Sequence, residues 1–214
     1  MMLILLFLLL VFDFSLAKEL SCQSLFSNEG IAQYIHFNAE YLDEKNNRHE
    51  LEYWRKGKEK LRRLTDNKLD TYAYLGKDGN YTYFVIDKQR QIAVKISKAG
   101  LYRTGIFYDW NSLAHILRCD SKDSLKKLDK ESIKLYGYMC EWYDLLKPSE
   151  AYRVCWSKQL GIPFLIERSQ DNQARIIWKI KSLDTKPMDE SFFNIKTGNL
   201  FRIDADEDIF PNGD

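Results

Sequence analysis

Three histidines, four cysteines and one dense basic run are the residues from which chemistry could be built in this chain of 214 residues. His115 and Cys119 stand four apart in a stretch of helical periodicity, so they would share one helix face. That spacing suits half a metal site or a Cys–His pair. A zinc site takes three or four ligands, and no second pair has suitable spacing. The plainer reading is a helix-face histidine beside a buried or disulfide-bonded cysteine. His36 and His49 fall on polar or edge faces of predicted strands. No G-x-S-x-G, Walker A or G-x-G-x-x-G motif is present, and the acidic residues alternate along strands as solvated groups rather than as an acid–base pair. The expectation is therefore a protein without catalysis, metal or cofactor. The run from Arg55 to Arg63 (RKGKEKLRR) could touch anionic headgroups or nucleic acid, or be a wet turn and strand face.

The elements that would position these residues are mostly strands. In 31–42, Ile35, Phe37, Ala39 and Tyr41 share one face and His36, Asn38 and Glu40 the other, the period-two pattern of a sheet with one wet face. Asn46-Asn47 turn the chain into 48–55, where Leu51 and Tyr53 oppose Glu50 and Glu52. Lys56-Gly57 lead to a basic strand over 59–65. Residues 71–75 and 81–86 flank Lys77-Asp78-Gly79-Asn80, a hairpin signal because Asp-Gly supplies positive φ. Residues 91–97 alternate again. The period changes between Asp109 and Leu128, where the spacing of Trp110, Leu113, Ile116, Leu117, Leu125 and Leu128 predicts two helices, 109–118 and 121–129. Strands resume over 133–145, 150–158, 162–169 and 174–182. The segment from Asp204 to Asp214 is acidic and is expected to be disordered.

Leu3 to Phe12 is an unbroken apolar run followed by Asp13 and by Ser15-Leu16-Ala17, the outline of a secretory signal peptide. Ten apolar residues fall short of the roughly 20 that cross a bilayer. Cleavage after residue 17 would leave one domain over 18–203 and, with 32 basic against 30 acidic side chains, a net charge of +2. That near-neutrality gives no reason to expect a nucleic-acid partner.

An even number of cysteines in an exported chain is compatible with two disulfides. If 133–145 and 150–158 form a hairpin around 146–149, Leu145 faces Glu150 and Cys140 faces Cys155, close to disulfide distance. Cys22 and Cys119 would make the second bridge. The 13 Tyr, 12 Phe and 5 Trp are many for one domain. Either they are core and cross-strand pairs, or some of them line an apolar groove.

The order of several short motifs resembles the bacterial outer-membrane lipoprotein carrier (LolA/LolB-like) superfamily. Glu52-Tyr53-Trp54-Arg55-Lys56-Gly57 with Arg62 resembles its "W-x-K-G … R" hairpin, and Val85-Ile86-Asp87 the segment after it. Tyr136-Gly137-Tyr138-Met139-Cys140-Glu141-Trp142-Tyr143 resembles its "G-Y-x-C-x-x-Y" strand. Val154-Cys155-Trp156-Ser157-Lys158-Gln159-Leu160-Gly161-Ile162-Pro163 resembles "V-W-x-S-K-x-x-G-x-P", and the run to Phe192-Phe193 its closing segment. The resemblance covers roughly residues 31–200.

It implies a mainly β fold: an incomplete, curved antiparallel half-barrel with a helical lid, located in the periplasm and monomeric. Its implied partner is a lipid or acylated lipoprotein, with an inner- or outer-membrane protein as a further partner. The alternative on the same fold is an envelope interaction or stress-sensing module without lipid transfer. The alternation makes Ile35, Phe37, Tyr41, Leu51, Tyr53, Tyr83, Val85, Ile92, Val94 and Ile96 the concave wall. The resemblance adds Arg62 as a ligand or lid contact, with Arg63 as the alternative because the segment is one residue longer than the usual spacing, and Trp110, Leu113 and Leu117 belong to the lid. Four cysteines depart from the carriers themselves.

Overall fold

The computed structural model describes residues 20–21, 25, 32–106, 109–120, 122–170 and 173–208. The expected signal peptide and Cys22 lie outside the described residues. In chain order the elements are β1 (Tyr34–Leu42), β2 (Arg48–Lys56), β3 (Lys60–Thr65), β4 (Leu69–Leu75), β5 (Tyr81–Asp87), β6 (Ile92–Ser97), α1 (Lys98–Arg103) and α2 (Trp110–His115). They continue with β7 (Ser124–Lys127), β8 (Ile133–Leu135), β9 (Tyr138–Leu146), β10 (Ala151–Ser157), β11 (Ile162–Gln170), β12 (Gln173–Asp184), a 3₁₀ turn (Glu190–Phe193), β13 (Phe201–Asp204) and α3 (Ala205–Asp208).

The described strands form one sheet in the order β13-β6-β5-β4-β3-β2-β1-β12-β11-β10-β9-β7, with β8 paired to β9. The sheet is open and curved and does not close into a barrel. Nearly all neighbours are antiparallel and joined by short turns, as the alternating sequence demands. β1 sits at the centre, paired to β2 on one side and to β12 on the other. The register shifts between Asn38 and Ala39, between Cys155 and Trp156 and between Ile166 and Glu167. Such bulges bend a strand and sharpen its twist, which is one source of the curvature.

Several features depart from the expectations, among them α1, a helix where none is expected. First, the sequence predicts a helix over 121–129, but β7 pairs with β9 and sets Leu125 opposite Leu145. Second, the predicted strand 133–145 is two strands. Tyr136 and Gly137 both have positive φ, 53° and 86°, and fold β8 back on β9 in a two-residue hairpin. Third, β13 adds to β6 in parallel, Phe201 opposite Ile92, where no strand is expected. Fourth, the acidic stretch begins as ordered structure. Asp204 ends β13, and Ala205–Asp208 make a helical turn with Ala205 buried.

The hairpin of β9 and β10 is displaced by two residues from the expected register: Leu146 faces Ala151, and Cys155 faces Trp142. The Cys140–Cys155 disulfide nevertheless forms, with Cα atoms 5.4 Å apart and both residues fully buried. A slip of two leaves every side chain on its face, whereas a slip of one reverses it. Cys119 is also disulfide-bonded.

The main core fills the concave side. Phe37, Tyr53 and Leu51 from the first half meet Leu145, Val154, Trp156, Phe164 and Ile180 from the second. A smaller cluster of Tyr72, Ile86 and Ala93, joined by Tyr74, Phe84, Ile195 and Leu200, lies on the other side. Among the described residues no helix is long and apolar enough to cross a membrane.

Candidate functional site: the lid on the concave wall

The register aligns the expected wall in rows. Phe37 faces Tyr53, Tyr53 faces Arg63, and the row continues through Thr71, Val85 and Val94. The next row runs Ile35, Arg55, Leu61, Ala73, Tyr83 and Ile96. All ten expected wall residues therefore share one face. They are not equally covered. Ile35, Phe37, Leu51 and Tyr53 are at most 1% exposed and Ile96 is buried, whereas Tyr41, Tyr83, Val85, Ile92 and Val94 are half-buried. Phe37 stacks on Tyr53 at 4.8 Å and meets Trp178 edge-on at 6.0 Å.

The cover is α2. Asp109 starts it, its carboxylate accepting from the Ser112 N–H at 2.6 Å, and Ile116 stops it in the left-handed region at φ 58°. The helix is thus shorter than the predicted 109–118, and Cys119 lies beyond it. Six residues are too few to hold a helix in water, so α2 depends on what it docks against. Leu113, Ala114 and Leu117 are buried in the main core, and Trp110 packs beside Tyr81 with ring centroids 6.3 Å apart.

Polar contacts fix its C-terminal end. The Ala114 carbonyl, one of those a helix leaves without an internal partner, accepts from Tyr53 Oη at 2.9 Å and from Arg55 Nη1 at 2.7 Å. Arg55 Nη2 donates to the Leu160 carbonyl at 2.6 Å, and His115 Nδ1 donates to the Gly161 carbonyl at 2.5 Å. The β10–β11 turn and the end of α2 are thereby held to one guanidinium. A cation at a helix C-terminus also complements the helix dipole.

Burial sets the ionisation here. It pushes Tyr53 up to about 12, so the phenol stays a donor. It also lowers Arg55 from its ordinary value. Burial first, and the Arg55 charge second, hold His115 down at about 4. His115 is therefore neutral at pH 7, and Cys119 is disulfide-bonded and supplies no thiolate. No group of three or more metal-ligating side chains occurs among the described residues.

Arg55 is the residue missed by reading the basic run as a wet turn and strand face: it is 1% exposed. The signal was available, because the alternation that carries Leu51 and Tyr53 inward continues to Arg55. Arg62 is a correction in the opposite sense. The resemblance implies a lid or ligand contact at Arg62 or Arg63; the register puts Arg62 on the convex face, between Trp54 and Tyr72, and Arg63 on the wall side, between Tyr53 and Thr71. The Arg62 guanidinium lies 4.7 Å from the Trp54 ring centre and 5.1 Å from that of Tyr72. It binds Asp70 through two bonds of 2.8 and 2.7 Å and donates to the Phe192 carbonyl at 3.2 Å. Tyr74 Oη donates to the Phe193 carbonyl, and Lys56 and Lys60 both bind Glu190. The 3₁₀ turn is thus fastened to the convex face. Beside it lies a cleft of about 600 Å³ whose lining includes Tyr72, Ile86, Lys88, Phe192, Lys196 and Leu200.

His36 lies on the convex face, between Asp184 and Trp54, and His49 on the wall side opposite Tyr41. His36 bonds Glu52 at 2.8 Å and stacks on Trp54. His49 lies between Asp66 and Asp43, at 2.7 and 3.4 Å, and the Asp66 bond is the main cause that raises its pKa.

No family model and no curated protein matches the chain. Among solved structures it is similar to PNGF-II, at 16% identity with a TM-score of 0.45, over 81% of this chain and 32% of that one. It is also similar to MucB, solved in complex with MucA(peri), at 14% identity with a TM-score of 0.39, over 76% of this chain and 54% of that one. The chain thus spans about a third of the length of the first and about half of the second.

Proposed function

We propose that this chain is an exported, non-enzymatic binding protein that engages another protein, its concave face kept closed by its own lid. The observation that carries the reading is the seating of Leu113 and Ala114 in the main core with Phe37, Leu51 and Tyr53. The space beside the lid that Arg55, Trp110 and His115 help to line is about 50 Å³. Ligand pockets run to ~300–1,000 Å³, so an acyl chain would have to displace the lid. The convex face supports a protein partner through Phe192, which is 41% exposed and stacks beside the buried Trp54, aromatic side chains being enriched at interfaces. The buried Cys140–Cys155 disulfide supports an oxidising compartment.

A lipid carrier is the second reading. The half-buried Tyr83, Val85, Ile92 and Val94 favour it, since they continue the apolar wall past the lid. The two readings separate in one experiment on periplasm-expressed protein: native mass spectrometry followed by titration with a fluorescent fatty acid. The interaction reading expects a clean apoprotein and no saturable probe binding. Co-purified lipid that leaves on denaturation would replace it with the carrier reading. A photo-crosslinker at Leu200 should then trap a discrete protein in a manner abolished by Phe192→Ala; an unchanged crosslinking pattern would remove the convex face from the proposal.

A further inference from the structure

Arg55 has an unbalanced environment. It is 1% exposed, yet its two hydrogen bonds go to neutral backbone carbonyls, and its Nε has no partner. No carboxylate pairs with it among the described residues, and none is among the groups acting on its ionisation. A buried charge without a counter-charge is costly. Beside it is a cavity of about 50 Å³ lined by Arg55, Gly57, Lys58, Trp110, Asn111 and the Ala114–His115 turn. The Trp110 indole Nε1 is also buried without a partner. Lys58 brings a second cation, and the lining contains no acid. Two acids adjoin lining residues in the chain: Asp109 is occupied in capping α2 through Ser112, and Glu59 is exposed to solvent. His115, being neutral and bonded to the Gly161 carbonyl, supplies no negative charge.

The volume and the donors match one kind of guest. A water molecule takes ~30 Å³ of liquid, so the space admits one halide or one carboxylate group. Guanidinium, indole N–H and ammonium are all donors with no acceptor capacity. We propose that this cavity binds a small monovalent anion through the Arg55 guanidinium and the Trp110 indole. The anion is chloride, or the carboxylate of an acidic side chain inserted by a partner. The proposal stands apart from the choice between protein and lipid partners, because it concerns the latch itself.

The test uses the intact protein with bromide, chloride and acetate as probes. Crystals grown in bromide should show one anomalous peak within hydrogen-bonding distance of Arg55 Nε and Trp110 Nε1. In solution, replacing bulky gluconate by chloride at constant ionic strength should raise the melting midpoint. The rise should be roughly 3 °C per tenfold increase above the dissociation constant. Trp110→Phe should shift that chloride dependence to about tenfold higher concentration, as loss of one charge-assisted bond requires. Displacement of bromide by acetate supports the carboxylate form, and failure of acetate to displace it supports the halide form. An absent peak with a melting midpoint indifferent to chloride overturns the proposal and leaves a water-filled void. The crystallographic arm holds even if Trp110→Phe does not fold.

Discussion

The lid offers a sharp perturbation, because α2 is too short to persist undocked and Leu113 is the largest aliphatic side chain it buries. Leu113→Ala removes a side chain that is 4% exposed in the main core. Buried leucine truncations cost ~2–5 kcal/mol, depending on how far the site collapses. What remains is the smaller apolar contact of Ala114, Leu117 and Trp110, the Ala114 carbonyl with its two donors, and the His115 bond to Gly161. If the lid opens as a unit before the sheet unfolds, the whole loss appears in its opening equilibrium, a change of about 30-fold to a few thousandfold at ~1.4 kcal/mol per decade. Hydrogen exchange of a peptide spanning 109–118 reads this directly. Its protection should fall by that factor while β1 and β12 exchange as before. A fluorescent fatty acid that ignores the parent protein should gain measurable binding in the variant. Equal loss of protection in 109–118 and in β1 would refute the reasoning, since it would mean that lid and sheet open only together.

Three further outcomes follow from the same geometry. Replacing Cys140 and Cys155 together by Ala should cost ~3 kcal/mol for a sequence separation of 15, lowering the melting midpoint by about 6–12 °C in calorimetry. Arg62→Met strands Asp70, whose side chain is 5% exposed, and should cost ~3–5 kcal/mol in denaturant melts. Arg62→Met with Asp70→Leu should recover most of that loss. His115 is held at about 4 against 6.5 in the unfolded chain. Between those values the unfolded chain binds the extra proton, so stability is complete above pH 6.5 and declines as pH falls. The loss from pH 7 to pH 5 is about 2 kcal/mol, and His115→Gln should flatten that part of the urea-midpoint profile.

The hairpins are legible in the sequence because their polar and apolar residues alternate and their turns carry Gly, Asn and Asp where positive φ is needed. Asn46, Asp66, Asn67 and Gly79 all adopt it. β7 is not legible. Leu125 and Leu128 have helical spacing, but Leu125 is buried from a strand, and the Leu128 N–H bonds the Trp142 carbonyl. Tertiary pairing decides there over local period. The disulfide is legible despite a wrong register, because only parity matters to which face a cysteine occupies. β13 is invisible because its alternation, Phe201-Arg202-Ile203-Asp204, runs for only four residues, and the strand is made by pairing to β6. At the site, the ten wall residues are legible by parity, while their coverage is not: α2 covers only part of the wall, and nothing in the periodicity says which part.

The two arginines show how far one step of parity reaches. Arg55 and Leu61 face each other across β2 and β3, as do Trp54 and Arg62, so adjacent rungs send one guanidinium inward and the other outward. The outer one meets a carboxylate and two rings, and its pairing is nearly complete. The inner one meets only carbonyls, so closing the lid means desolvating a cation without an opposite charge. Apolar contact by Leu113 and its neighbours must therefore supply most of the closing free energy, while Arg55 fixes where the lid sits. Arg55→Met relieves the buried charge, leaves the Ala114 carbonyl its bond from Tyr53, and orphans only the Leu160 carbonyl, a loss of ~1–3 kcal/mol partly offset by removal of the charge. In chloride-free buffer Arg55→Met should destabilise less than Leu113→Ala. The reverse order in thermal melts would mean that the guanidinium, not the leucine, holds the lid shut.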